Sequence, residues 1–424
     1  MKRATFLNLI ELLGVLVFVS FFYLRDLQEV AFHIDESHWI GTSYMFEAYF
    51  KGDFWSDAWA IAQPTLTNPP VPRYVIGLGR LIGGYHVPDL NRPWAYEFNV
   101  GRNVARGAMP SAGLLWWSRL PMAVLAVLSI ALGFFLIKKV GGRFPAYLWL
   151  LFACISPYLL LQTRRAMAES PILFFVMLAA LFCYLALKAL SRPGRNNPWL
   201  IGLYLGLAGF CVGLAGESKI NGLSVLLGIL ASLAGYIIWK QKDAAGPKAQ
   251  RIFIYGAVAS IVAVIAFFGS YPFLWPDLAA RTEMVLRDRI TEMQSQSIKH
   301  SADAIYTPSQ RLTIIPVRVF QDYAVINFPG ALFLNLALAC LGIWRTILNI
   351  RDWLRGSRDG TAALVLLAIG ATAAIPAFFT LLDWDRYYLF PIFFSTAFIV
   401  IALGWLGEHA FQLVKNRVVD RATG

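Results

Sequence analysis

Charge is scarce in this sequence. Asp, Glu, Lys and Arg together supply 15% of its 424 residues. A soluble globular chain carries roughly a quarter, so an ordinary water-solvated fold is excluded. Cysteine is scarcer still. The 4 present, Cys154, Cys183, Cys211 and Cys340, all fall inside apolar runs. They have neither the spacing of a metal site nor a partner in a loop, which excludes a disulfide scaffold. They read as small hydrophobes. Internal repeats and low-complexity tracts are missing, and with the repeats goes a common signature of transporters. Acids are outnumbered, 25 against 37 Lys and Arg, giving a net charge of +12.

What is present in excess is apolar: 58% of residues, with a mean hydropathy of +0.58. The excess sits in blocks of about 20 residues, the length that crosses about 30 Å of hydrocarbon. Ten spans are expected, near 6–24, 114–137, 144–162, 169–190, 199–216, 219–239, 252–271, 327–347, 361–382 and 387–405. The first is too long for a signal-peptide core, and no small-residue cleavage site follows it. The fold class is therefore an all-α polytopic membrane bundle, a single membrane-embedded domain over 1–424.

The basic residues explain the net charge without nucleic acid as a partner. They crowd the N-terminus, the C-terminal tail (Lys415, Arg417) and short connectors such as KKVGGR, KALSRPGRNN, WKQKDAAGPKAQR and NIRDWLRGSRDG. That asymmetry sets membrane topology. It places both termini in the cytoplasm and two long loops, 25–113 and 272–326, outside. Loops of that length usually carry function.

The first loop has helical spacing after Asp35, with Trp39, Ile40, Tyr44, Ala48 and Tyr49 up to Lys51-Gly52. An aromatic-rich amphipathic helix there is expected to lie in the membrane interface. A second helix is expected from Asn68 as N-cap and Pro69 at its first position, through Tyr74, Ile76 and Leu81 to Gly83-Gly84.

Charges at span rims are the informative residues, because each costs about 2.5–3.5 kcal/mol at mid-helix. Asp35-Glu36 in HIDESHWI can serve a general base or simply cap the first loop helix. Beside them in that stretch, His38 is a candidate supporting group. Arg119 in WWSRLP, Arg164, Arg165 and Glu169 in LQTRRAMAES, and Glu217 and Lys219 in GLAGESKINGL all fall on the same outer rim. Cations gathered there can hold a lipid phosphate or a departing phosphate. Interfacial snorkelling and ion pairs such as Arg164 to Glu169 are the plainer alternatives. In DWDRYY, Asp385, Arg386 and Tyr387 (with Asp383) sit on the same face. The spacing of the two acids can suit a metal, but an aromatic loop anchor is the plainer reading. His300, in the second outer loop, can cover an acceptor site.

In one order, these motifs resemble the GT-C glycosyltransferases of family 39, the protein O-mannosyltransferases and their bacterial relatives, including the lipid A aminoarabinose transferases. DESHWIGTSYMFEAYFKGDF resembles the family's first outer loop, NPPVPRYVIGLGRLIG its His-Pro-Pro-Leu segment, and SRLPMAVLAVL its Arg-x-x-Pro-Ala span. LQTRRAMAESPILFF, GLAGESKINGL and YYLFPIFF resemble its later segments. The resemblance covers roughly residues 30–230 and a little of the C-terminal end.

It implies an inverting transfer from a polyprenyl-phosphate sugar lipid to an acceptor lipid, glycan or protein. It implies Asp35 as the base, Glu36 as its support, and Arg119, Arg164, Arg165 and Lys219 near the phosphate or the acidic pair. No cofactor is required by these residues, and a divalent cation stays open. Asn68 stands where the family usually has His. The second loop lacks the soluble domain of the eukaryotic enzymes, which favours the bacterial branch and its inner membrane. The rival enzyme is an oligosaccharyltransferase-like, metal-dependent transferase. The rival from another class is a lipid or sugar transporter or flippase.

Overall fold

The computed structural model describes residues 3–59, 65–191, 197–240, 245–357 and 359–423. Four of the basic segments that set the expected topology lie partly outside them, at residues 1–2, 192–196, 241–244 and 358. The described residues form no β-sheet; an isolated bridge joins Ala304 to Leu382.

In chain order the helices are α1 (Arg3–Leu24), α2 (Ile34–Gly41), α3 (Met45–Phe50), α4 (Val71–Ile82), α5 (Val100–Ala105), α6 (Ala112–Gly141), α7 (Arg143–Ile155), α8 (Pro157–Gln162), α9 (Glu169–Leu190), α10 (Pro198–Gly216), α11 (Val225–Lys240), α12 (Ala245–Gly269), α13 (Leu278–Lys299), α14 (Pro308–Val317), α15 (Ala331–Leu354), α16 (Thr361–Ala374) and α17 (Leu389–Thr423). Among the described residues, 9 helices are long and apolar enough to cross a membrane.

The expected third span, 144–162, differs. It is a 13-residue helix followed by α8, broken at Ser156. Pro157 has no N–H to continue the ladder and holds its predecessor out of helical geometry. Ser156 turns extended (φ −68°, ψ 110°), and its hydroxyl caps α8 at Leu159 N–H. The two pieces together still return the chain across the bundle. α7 starts beside Glu11, which binds Lys138 and Tyr147 at one end. α8 ends at Gln162, which binds Asp385 at the other.

Ion pairs thus mark two opposite ends. Glu11 with Lys138, and Lys188 with Asp359, sit at the end holding the α1 N-terminus. The described residues of the loops 25–111 and 270–330 occupy the other. Between them the spans pack closely where side chains are small. Gly209 and Gly213 of α10 lie on α12, and a Cβ at either would collide with the carbonyl oxygens of Ala259 and Ala263. This small-xxx-small seam is how helices associate without a hydrophobic drive between them.

The loop helices are buried in protein more deeply than expected. The single helix anticipated over Asp35–Lys51 is two, separated at Thr42–Tyr44. The hydroxyls of Thr42 and Ser43 bond back to the carbonyls of His38 and Ile40, a competition that ends helices. Two fully buried arginines of α4 then fasten the break. Arg73 Nε donates to Thr42 Oγ1 (2.7 Å) and Arg80 Nε to Ser43 Oγ (2.8 Å). α4 itself begins at Val71, two residues after the expected Pro69, and Asn68 is not its N-cap. The carbonyl of Asn68 accepts from Arg73 Nη1 instead (2.7 Å). Phe50 and Trp55 stay exposed at the rim.

Candidate active site

The site starts with the cap of α2. His33 takes the N-cap position, its Nδ1 accepting from Asp35 N–H (3.1 Å) while Glu36 accepts from His33 N–H (3.0 Å). This reciprocal arrangement is a capping box. It turns Glu36 inward, where it is fully buried. Arg119 Nε and Nη2 donate to its two oxygens (2.8 and 2.7 Å), and Ala166 N–H donates to Oε1 (2.8 Å). The remaining Arg119 bond, from Nη1, reaches Leu27 O (2.8 Å). Each Glu36 oxygen thus accepts twice, and each Arg119 nitrogen has a partner. Arg119, counted from sequence among the cations near a phosphate or the acidic pair, is bound to the acid and closed to any other ligand. Its ionic bonds make Glu36 a strut joining the first loop to α6 and to the turn before α9.

Asp35, one residue earlier, projects elsewhere and keeps 14% of its side chain exposed. Tyr96 O–H donates to Oδ1 (2.8 Å), and Arg386 Nη1 pairs with Oδ2. Burial alone would raise its pKa. The charge of Arg386, then those of His33 and the Tyr96 bond, outweigh that and hold the carboxyl well below the usual carboxylate range. Asp35 is ionised at any physiological pH.

Arg386 stands in the turn between α16 and α17, over the rings of Trp384 and Tyr387 (4.8 and 5.8 Å to the centroids). The other acids of DWDRYY are engaged. Asp383 is gripped by Arg318 Nε and Nη2 (3.0 and 2.7 Å) and by Tyr388 O–H (2.7 Å). Asp385 accepts from Gln162 Nε2 (2.6 Å) and Arg386 N–H (2.7 Å). Among the described residues no group of three His, Cys, Asp or Glu is gathered as a metal site would need.

The ring of Tyr387 also carries Lys219, its Nζ 5.0 Å from the centroid and 3.3 Å from Glu169 Oε1. Glu169 therefore pairs with Lys219, and not with Arg164. Glu169 Oε2 and the Tyr387 hydroxyl are buried and have no partner among the described residues. Asp35, Arg386, Tyr387, Lys219 and Glu169 thus form one continuous line of contacts across a single rim, ending in two orphaned polar atoms that flank a lysine.

The remaining candidates sit around this line. Arg164 donates to Leu160 O and Arg25 O (2.9 and 2.8 Å), and Arg165 to Ala31 O (3.1 Å), so both tie down the start of the first loop. His38 is buried under Tyr96, with Nε2 2.9 Å from Thr65 Oγ1. Burial, then the nearby charge of Arg73, push its pKa down to about 4, so it is neutral. His300 ends α13 and meets Trp384 edge-on (5.7 Å), bringing the second loop onto the DWDRYY turn.

Glu217 is fully buried under α4, its carbonyl accepting from Val71 N–H (3.1 Å). It lines an apolar cavity of about 330 Å³ together with Pro69, Leu223, Leu226, Val264 and Phe267.

Several residues of the site were not foreseen. Tyr96 lies in the aperiodic NRPWAYEF stretch, and Arg318 in a helix turn with nothing local to mark it. Arg73 and Arg80 did carry a signal. Spaced by seven, they fall on one face of a helix, and cations on an otherwise apolar face call for buried partners.

The sequence profile of the dolichyl-phosphate-mannose-protein mannosyltransferase family matches residues 39–277. The chain belongs to this family. The matched stretch contains Arg119, Arg164, Glu169 and Lys219, while Asp35, Glu36 and the DWDRYY turn lie outside it. No curated protein matches this mannosyltransferase-family chain by sequence. Among solved structures, the fold is similar to ArnT from Cupriavidus metallidurans bound to undecaprenyl phosphate (TM-score 0.55, 13% identity over 98% of this chain and 63% of that one). It is also similar to the archaeal oligosaccharyltransferase AglB from Archaeoglobus fulgidus in complex with an inhibitory peptide and a dolichol-phosphate (TM-score 0.55, 14% identity, 98% and 52%). At such identities the likeness is one of fold, and the chain spans about half to two-thirds of their length.

Proposed function

We propose that this family member transfers a sugar from a polyprenyl-phosphate carrier to an acceptor hydroxyl or similar group, at the end of the bundle that bears both long loops. The single observation that carries the reading is the unbroken line from the Asp35 carboxylate to the Lys219 ammonium. Breaking a sugar–phosphate bond needs charge stabilisation for the departing phosphate and a proton acceptor at the attacking group. Lys219, with the orphaned Tyr387 hydroxyl beside it, supplies the first. Asp35 supplies the second.

A carboxylate as acidic as Asp35 removes no proton from a resting alcohol. It orients the hydroxyl by accepting its hydrogen bond. It takes the proton late, once bonding to the anomeric carbon has made that hydroxyl strongly acidic. Arg386 keeps Asp35 ionised and aimed until then. A retaining route needs a second carboxylate at about 5–5.5 Å to act as nucleophile. Here the neighbouring acid, Glu36, is sealed by Arg119, which favours direct inversion. The apolar cavity beside the Lys219 turn is the seat for the carrier chain. Both similar folds were solved with a polyprenyl phosphate, which supports a lipid-phosphate donor.

In this reading the loop end faces outward from a bacterial inner membrane, both termini are cytoplasmic, and the acceptor is a lipid, glycan or protein. Membership of a transferase family argues against a transporter, and the engaged acids of DWDRYY argue against the metal-dependent rival.

The test is lipid and glycan mass spectrometry of cells lacking the chain, rescued with wild type, Asp35→Asn or Lys219→Ala. Wild type should restore a sugar-modified product, and both variants should insert normally and fail to restore it. Full restoration by both would refute the assignment.

A further inference from the structure

Glu217 is an acid of the same rim that the proposed transfer does not use, and no described side chain engages it. Both its carboxyl oxygens are buried and have no partner among the described residues. The groups facing it explain why. From α4 comes Tyr74, and from the segment before α13 comes Tyr271. The Tyr74 hydroxyl donates to Ser270 O (2.8 Å) and that of Tyr271 to Leu66 O (3.0 Å). Arg73 is turned to Thr42 and the Asn68 carbonyl. On its own turn, Lys219 is turned to Glu169 and Tyr387.

No cation compensates Glu217, and burial pushes its pKa well above the ordinary value. Thr282 of α13 lines the same cavity, and its hydroxyl oxygen is likewise buried without a partner among the described residues. An apolar cavity that holds an uncompensated acid and an unused hydroxyl is built for an occupant with oxygen as well as hydrocarbon.

The walls say where that oxygen lies. Leu226, Val264 and Phe267 come from two membrane spans. Phe268, Thr282 and Leu286 are shared with an adjoining trough of about 770 Å³ along α13, which continues the cavity sideways. A chain entering that way ends at the Glu217–Lys219 turn, where its head group meets the rim.

We propose that Glu217, as a neutral carboxylic acid, donates a hydrogen bond to a phosphoryl oxygen of the lipid phosphate whose chain fills this cavity. This rests on the carrier-dependent reading above and adds a specificity residue to it. The consequence is a proton requirement. The neutral acid attracts the phosphate. The carboxylate, ionised at alkaline pH, repels it.

The experiment is direct binding of undecaprenyl phosphate to the purified full chain in lipid nanodiscs, from about pH 6 to about pH 9, the range in which buried glutamates titrate. Wild type should weaken at least fivefold more than Glu217→Gln over that range, with Glu217→Gln staying close to the low-pH wild-type affinity. The second ionisation of the lipid phosphate adds the same slope to both proteins and cancels in the comparison. Glu217→Leu, which keeps the cavity apolar and removes the donor, should bind at least fivefold more weakly than Glu217→Gln at every pH. Equal slopes for wild type and Glu217→Gln, or equal affinities for Glu217→Leu and Glu217→Gln, overturn the proposal. If binding is lost on Lys219→Ala while those equalities hold, the carrier reading stands without Glu217. If wild type binds no undecaprenyl phosphate at any pH, the carrier reading falls as well.

Discussion

Replacing Arg119 with Met tests the claim that Glu36 is a strut. The guanidinium and the carboxylate are both fully buried, and two of the three Arg119 bonds run to Glu36. Removing one partner of a buried pair costs about 3–5 kcal/mol, because the other charge is left without compensation. Glu36→Gln is also costly. Each Glu36 oxygen accepts from two donors, so an amide NH₂ at either position meets Arg119 and a backbone N–H head-on. Its cost should be about 2–3 kcal/mol. The double variant Glu36→Gln/Arg119→Met removes the uncompensated charge. It should be less destabilised than the sum of the singles by at least about 2 kcal/mol. Equilibrium unfolding in mixed detergent micelles measures all four corners of this cycle. Additivity within about 0.5 kcal/mol would refute the strut.

Other expectations concern the site itself. Asp35→Asn should lower the transfer rate by about 10²–10⁴-fold, the range for a lost acid–base group, and should also lower the unfolding midpoint, because Arg386 loses its carboxylate partner. Arg318→Ala should free Asp383 and loosen the turn that holds Arg386, cutting transfer while leaving carrier binding intact in a filter assay. His38 gives a pH signature. Its folded pKa is about 4 against 6.5 unfolded, so the unfolded chain binds the extra proton first as pH falls. Stability should therefore be full above about pH 6.5 and fall by about 3 kcal/mol on the way to about pH 4. A His38→Gln chain should lack that part of the slope.

The transmembrane spans were legible because run length is a local property, and a bilayer demands about 20 apolar residues whatever lies beside them. The break at Ser156–Pro157 was legible in principle from the proline, but hydropathy averaged over a window passes straight across it. The helices of the first loop were placed correctly in kind and wrongly in extent. The hydroxyls of Thr42 and Ser43 end α2 through bonds to its own carbonyls, and α3 follows three residues later.

The acidic pair illustrates the deeper limit. Asp35 and Glu36 were visible as a pair, yet successive helix residues point about 100° apart. Their division of labour depends on what lies in each direction. Glu36 meets Arg119, 83 residues on, and Asp35 meets Arg386, 351 residues on. Local spacing carries no information about either contact. The same holds for Arg164, whose expected partner Glu169 sits a short way along the chain but is claimed by Lys219.

The distance in sequence between Asp35 and Arg386 has a consequence for synthesis. A nascent chain threads its first loop through the membrane long before the turn carrying Arg386 leaves the ribosome. Until then Asp35 lacks its guanidinium partner, and His33 and Tyr96 of its own loop are what hold its charge. An ion pair closed across 351 residues thus forms only after the bundle between its partners has been made.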